Sequence, residues 1–282
     1  MMKGLMYNHL LVVVMRAEEA WGNRWKSCAN PLSHRFMEVA TKKQSLVILA
    51  ADLKTTKALI DLIEIVGPYI SALKTHVDMI DDFDRESWRN VVKCARKHDL
   101  MIFEDRKFAD IGKISRDQMG GVYDIRSWAD LVTAHRISGP DIVDGIGAGW
   151  EDVQRVGGVF LLAQMSSRGN LLTEKYTDVT IETGMGSPHV VGYIGNGSSP
   201  ERIYLLRKKV GDSHLIWTPG VNLETGDGEL GQQYGHPFDA IKNGSDGIIV
   251  GSGIHRAEDP VSSAKMYAKE SWNALIEREA NG

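Results

Sequence analysis

Leu100-Met101-Ile102-Phe103-Glu104-Asp105-Arg106-Lys107-Phe108-Ala109-Asp110-Ile111-Gly112 is the stretch on which the reading of this chain turns. An apolar run, Leu100 to Phe103, has the look of a buried strand and ends in a knot of charge: Glu104, Asp105, Arg106, Lys107 and Asp110. Side chains alternate along a strand, so Asp105 and Lys107 share one side, and Asp110 follows a short turn later. A lysine flanked by carboxylates keeps its proton, because nearby negative charge favours the ammonium form. A structural reading of this knot is a solvated ion cluster at a strand end. A functional reading is a proton donor held for a carbanion.

The same pattern repeats outward from this strand. Candidate strands are Leu46–Asp52, Ile70–Asp78, Leu100–Lys107, Asp130–His135, Val159–Ser166, His189–Ile194, His214–Gly220 and Gly247–Gly253. Helical patterns lie between them, among them Lys54–Val66, Arg85–His98, Pro200–Val210 and Pro260–Glu279. The last carries Val261, Ala264, Ala268, Trp272 and Leu275 at steps of three and four, the period of a core-facing helix. Strands alternating with helices make a parallel sheet. At this length the closed (β/α)8 barrel in one domain is the expected fold, with a doubly wound open sheet as the alternative.

In a barrel, chemistry sits at the C-terminal strand ends. Polar residues collect there: Asp52 on the first strand; Lys74, Thr75, His76 and Asp78 on the second; Asp105 and Lys107 on the third; His135 on the fourth. Ser166 and Ser167 close the fifth, Thr218-Pro219-Gly220 the seventh and Gly251-Ser252-Gly253 the eighth. Packing alone gives no reason for so many polar ends on one rim. Lys74 and Lys107 with Asp105 and Asp110 make an alternating set in which each ion has a partner. Such a set places a carboxylate beside a substrate carboxylate, raises the ground state, and faces the carbanion left by loss of carbon dioxide with Lys107. No metal or cofactor is called for, and His76 and His135 read as isolated structural histidines. Gly226 to Tyr234 is long, polar and glycine-rich enough for a lid, with Gln232, Gln233 and Tyr234 as polar contacts.

Composition narrows the classes. The chain has 282 residues, 43% hydrophobic and 25% charged, with net charge −4, which fits a soluble globular protein and gives no support for nucleic-acid binding. Two cysteines, Cys28 and Cys94, have neither metal nor disulfide spacing, so a reducing, cytoplasmic compartment is expected. The apolar run Leu10 to Met15 is too short to span a bilayer and reads as a docking segment or first helix. Residues 1–29 are read as an N-terminal extension and 30–282 as the barrel; Trp21 and Trp25 are spaced for one helix face, against the barrel or a partner.

Asp105-Arg106-Lys107-Phe108-Ala109-Asp110-Ile111-Gly112 resembles the signature of the orotidine 5′-phosphate decarboxylase family, in its eukaryotic branch. Ala51-Asp52, Leu73-Lys74-Thr75-His76-Val77-Asp78, Met165-Ser166-Ser167-Arg168-Gly169, Thr218-Pro219-Gly220-Val221 and Leu230-Gly231-Gln232-Gln233-Tyr234 resemble its other strand-end motifs, in order, from about Asn30 to Glu279. The resemblance implies a dimeric (β/α)8 barrel that converts orotidine monophosphate to uridine monophosphate without a cofactor. It implies that Lys74, Asp105 and Lys107 come from one subunit, that Asp110 reaches into the partner's site, and that Lys107 protonates carbon 6. Asp52 and Lys74 would hold the ribose, Ser166 and Gln232 the base, and Tyr234 the phosphate, beside Pro219 and the Gly251-Ser252 turn. Two positions depart from the family pattern. Its V-G-R-G motif grips phosphate with an arginine where this chain has Ser252, and a ribose-side threonine is Ile114. Loss of a charge-assisted arginine–phosphate contact is worth roughly 1.5–3 kcal/mol. Arg256 and His255 are the nearby groups that could substitute. The alternative is a paralogue redirected to a substrate without phosphate; a non-enzymatic descendant would be expected to have lost the charged set.

Overall fold

The computed structural model describes residues 15–227 and 232–280. The run Leu10 to Met15 therefore lies, apart from Met15, outside the described residues, as does the tip of the expected lid. Eight parallel strands close into a barrel: β1 (Val47–Ala50), β2 (Ala72–Thr75), β3 (Met101–Phe108), β4 (Leu131–Ala134), β5 (Gly158–Leu162), β6 (Val190–Ile194), β7 (Leu215–Thr218) and β10 (Gly247–Val250). The order around the barrel follows the chain, and β10 pairs with β1 to close it. A two-stranded hairpin, β8 (Gly226–Asp227) and β9 (Gln233–Tyr234), rises between β7 and β10. This is the expected (β/α)8 barrel, in one domain.

Helices α3 (Thr56–Val66), α4 (Arg85–Lys97), α5 (Gly112–Gly120), α6 (Ile142–Glu151), α7 (Glu174–Met185), α8 (Pro200–Val210), α9 (Pro237–Lys242) and α11 (Pro260–Ala280) form the outer layer, with one short turn, α10 (Ser252–His255), after β10. Caps set several starts: Asp84 accepts from Glu86 and Ser87 N–H, and Thr55, Thr173 and Ser199 each hold one amide of their helix. The strands are shorter than the apolar runs that announce them. The second ends at Thr75 and turns through a 3₁₀ segment, Val77–Met79, so His76 and Asp78 sit in a loop rather than on the strand.

Barrel strands are buried on both faces, which explains their nearly continuous apolar sequences. Inside, Trp217 stacks on Phe160 at 4.2 Å between ring centres, with Phe103 at 5.2 Å. Phe36 of α2 (Pro31–Lys43) reaches the same tryptophan at 4.9 Å, so α2 plugs the floor of the barrel. Helix α1 (Ala17–Ser27) packs on α2: buried Trp21 donates to Met37 O and Thr41 Oγ1, and Trp25 lies against His34 at 4.5 Å. The helix breaks at Gly22, whose φ of 51° suits glycine alone at little strain. Arg24 reaches from α1 to Asp246, 2.7 Å away, at the foot of β10, where Arg207 and Arg278 also converge. Burial would raise that carboxyl, but three guanidinium groups hold it below its ordinary value. Among the described residues no helix is long and apolar enough to cross a membrane.

Candidate active site

The barrel mouth opens on a cavity of about 680 Å³ at the C-terminal strand ends. Its wall contains Asp52, Lys74, Asp105, Lys107, Ser166, Pro219, Gln232, Tyr234, Gly251 and Ser252, that is, every expected site residue except Asp110. The barrel forces this meeting. Parallel register aligns Ala50 with Lys74 and Lys74 with Phe103, so the ends of β1, β2 and β3 lie side by side.

The charged groups form a chain. Lys107 Nζ donates to Asp105 Oδ2 at 2.7 Å, Lys74 Nζ lies 3.2 Å from the same oxygen, and Asp52 Oδ1 is 3.6 Å beyond Lys74. Within one chain the alternation is thus Asp52–Lys74–Asp105–Lys107. Burial would raise the Asp105 carboxyl, but Lys74 and Lys107 outweigh it and hold it well below the ordinary carboxylate range. Lys74 is deeply set, its side chain 6% exposed, whereas Lys107 is 37% exposed and faces the opening.

Lys107 owes its direction to an irregularity in β3. Pairing with β4 lapses between Glu104 and Phe108, and Lys107 has a left-handed φ of 51°. Thr133 of β4 fills the gap: its Oγ1 accepts from Lys107 N–H and donates to Asp105 Oδ1, both at 2.8 Å. A non-glycine residue in this region is uncommon, and here strain sits at the centre of the charged set. Nothing in the spacing of the sequence singles out Thr133, because the register of β3 on β4 decides its role.

His76 corrects an expectation. It is not isolated: its Nε2 is 2.8 Å from Lys74 Nζ and 3.5 Å from Asp105 Oδ2. Lysine can only donate, so Nε2 accepts and the ring proton belongs on Nδ1. Burial and then Lys74 lower its pKa, which keeps the imidazole neutral at neutral pH. His135 does lie apart from the charged chain; its pKa is lowered by burial and it stands 3.5 Å from the Tyr176 hydroxyl. Behind the set, fully buried Glu104 accepts from the Thr75 hydroxyl and Val77 N–H.

The far side of the cavity is the hairpin. Gln232 Nε2 donates to Ser166 Oγ at 2.9 Å, joining the lid base to the loop after β5. Gly220, at φ 77°, lies against Ser166; a side chain there would come within 2.7 Å of the Ser166 Cβ. Tyr267 of α11 braces the loop by donating to Asn222 Oδ1 at 2.9 Å. Ser252 opens the turn after β10, and His255 and Arg256 line the same wall. Burial lowers the His255 pKa.

Asp110 stands outside. It is exposed, its carboxylate takes the neighbouring Ile111 N–H at 2.7 Å, and it does not reach the cavity of its own chain. Its loop is tied down nonetheless: Asp110 O accepts from Ser115 and Ser138 hydroxyls, and α5 packs on α6 through Gly112 and Gly145, where any side chain would strike the facing backbone.

This constellation has known counterparts. The sequence pattern of the "Orotidine 5'-phosphate decarboxylase / HUMPS family" matches residues 45–267. The chain belongs to that family. The orotidine 5'-phosphate decarboxylase of Coccidioides posadasii is 38% identical over 269 residues, covering 93% of this chain and 98% of the relative. That of Candida parapsilosis is 37% identical over 273 residues, covering 95% and 100%. These relatives are carboxy-lyases. Among solved structures, the decarboxylase of Pyrococcus horikoshii superposes with a TM-score of 0.62 at 27% identity, covering 80% of this chain and 98% of that one. The Methanocaldococcus jannaschii structure, an inhibitor complex, shares the fold at 21% identity and TM-score 0.65.

Proposed function

We propose that this chain is a cofactor-independent carboxy-lyase that converts orotidine 5′-monophosphate to uridine 5′-monophosphate. The observation that carries this reading is the Asp52–Lys74–Asp105–Lys107 chain at the mouth of the cavity, with Asp105 shared by two lysines at 3.2 and 2.7 Å. A pyrimidine carboxylate placed beside Lys107 meets Asp105 at close range, and the low dielectric of the site makes that repulsion strong. The carbon–carbon bond breaks, carbon dioxide leaves, and the electron pair remains on carbon 6. Lys107 delivers its proton there and regains one from solvent, so atoms and charge balance. Lys74 and Asp52 are assigned to the ribose hydroxyls, Ser166 and Gln232 to the base, and Tyr234, Pro219 and the Gly251-Ser252 turn to the phosphate side.

The catalytic unit in this reading is a homodimer that receives Asp110 from the partner. The exposure of Asp110 supports it, as does the apolar surface around it: Ile111, Ile114 and Ile137 are 55%, 37% and 70% exposed. Ile114 would then stand near the partner's ribose position. With Ser252 in place of the family's arginine, Arg256 on the same wall is the cation assigned to the phosphate.

One observation favours a second reading. Both departures, Ser252 and Ile114, fall on the phosphoribosyl side, while the reacting centre is intact. A paralogue that takes a carboxylate without phosphate would look like this. The two readings separate in an ultraviolet assay with orotidine 5′-monophosphate and orotidine as rival substrates. The first predicts turnover of the nucleotide. The second predicts none, and none after Ser252→Arg with Ile114→Thr.

A further inference from the structure

We propose that Glu64, Cys94 and His98 form a site for a borderline-soft divalent cation, best matched by Zn²⁺, on the outer wall of the barrel. Cys94 and His98 are four residues apart at the end of α4, so their side chains emerge one above the other. Glu64, near the end of α3, faces both. Its Oε1 is 3.5 Å from Cys94 Sγ and its Oε2 is 3.0 Å from His98 Nε2. One donor atom from each of the three lies within 4.8 Å of the others. A tetrahedral zinc ion with bonds of about 2.0–2.3 Å sets donors about 3.3–3.6 Å apart. The sulfur and the ring nitrogen each stand at about that distance from an oxygen of Glu64, one on each carboxylate oxygen, so a small turn of the carboxylate would bring the three donors onto one ion.

Two further features hold this arrangement. The His98 ring occupies space that Gly67 leaves free; a side chain at Gly67 would come within 2.5 Å of the ring. Lys43 Nζ ties both segments together by donating to Gly67 O, Ile70 O and His98 O. The present counter-ion of Glu64 is Lys97, which donates to both carboxylate oxygens at 2.9 and 2.8 Å. Lys97 is 64% exposed on a flexible stem, so it can leave when a metal ion enters. Binding forms metal–sulfur, metal–nitrogen and metal–oxygen bonds and releases the thiol proton to solvent. The other triad of this kind among the described residues, His76, Asp78 and Glu104, has prior commitments, since Glu104 is held by Thr75 and Val77 and His76 by Lys74.

The site lies at the C-terminal ends of α3 and α4, hence at the barrel end opposite the cavity. It would clamp the two helices that lead into β2 and β3, the strands of Lys74 and Asp105, and so act on stability. The test is a titration of the full-length, chelator-stripped, reduced protein with Co²⁺. The expected result is one equivalent bound, with a near-ultraviolet thiolate-to-cobalt charge-transfer band that Zn²⁺ removes. Zn²⁺ at about 100 times its Kd should shift the unfolding equilibrium about 100-fold, a Tm rise of about 5 °C. Cys94→Ser and His98→Gln should each abolish the band, Cys28→Ser should retain it, and Lys97→Met should lower the Co²⁺ concentration at half-saturation. Absence of the band from the wild type, or its survival in both Cys94→Ser and His98→Gln, would overturn the proposal.

Discussion

Replacing Glu104 by glutamine should change how stability depends on pH. Strand alternation sends Asp105 into the cavity and Glu104 to the other side, where it is fully buried. Its carboxyl accepts from Thr75 Oγ1 at 2.7 Å and from Val77 N–H at 3.1 Å. Burial is the larger influence and pushes its pKa up to about 8 from an ordinary 4.5, and the neighbouring Asp105 acts in the same direction. The folded protein therefore carries Glu104 protonated at neutral pH, while the unfolded chain carries it ionised. A group raised in this way stabilises fully below pH 4.5, and its contribution is lost as pH rises to about 8. The gap of 3.5 pH units (8 − 4.5) corresponds to roughly 5 kcal/mol at most. Glu104→Gln keeps the shape and an acceptor for Val77 but cannot ionise. Urea unfolding from pH 5 to 9 should show the wild type losing about 3–5 kcal/mol relative to the variant, with m unchanged. Parallel curves for the two proteins would refute the reasoning, because Glu104 would then be ionised in both states or in neither.

Other perturbations test the cavity itself. Thr133→Val removes the hydroxyl that joins Lys107 N–H to Asp105 and should cost about 2–3 kcal/mol in the transition state, roughly 30–150-fold in kcat/KM, with KM little changed. Lys107→Ala and Asp110→Ala should each be inactive alone, yet mixing and re-associating them should restore about a quarter of wild-type activity, since each mixed dimer regains one intact site. No recovery on mixing would mean that Asp110 serves its own chain. Tyr267→Phe frees Asn222 and the base of the hairpin, so KM should rise severalfold with far-ultraviolet circular dichroism unchanged.

The eight strands were legible because barrel strands are buried on both faces and so write themselves as apolar runs such as Val47–Ala50 and Gly247–Val250. Their ends were less so. Apolar Val77 between His76 and Asp78 keeps the strand-like alternation going past the last ladder pair, which is why Ile70–Asp78 reads as one strand although it turns at Thr75. The charged residues could be placed because they stand at the C-terminal ends of their strands or, like Asp52, just past them, and the barrel rim collects strand ends. Contacts that depend on register between strands left no mark in the sequence. Thr133 and the bulge at Lys107 belong to this class, as does His76, whose turn toward Lys74 is set by the 3₁₀ segment after it. Asp110 was read from spacing into the charged set, but geometry within one chain leaves it outside the cavity; only the resemblance gives it a place, in a partner's site.

The most direct test of the account is the loss of ultraviolet absorbance when purified protein meets orotidine 5′-monophosphate, with Lys107→Ala measured beside it. The account predicts turnover by the wild type, release of uridine 5′-monophosphate, and loss of at least three orders of magnitude in the variant, about 4 kcal/mol of transition-state stabilisation. Turnover that survives in Lys107→Ala would contradict the assignment of the proton donor. An inactive wild type, in a preparation whose Tm uridine 5′-monophosphate does not raise, would contradict the substrate.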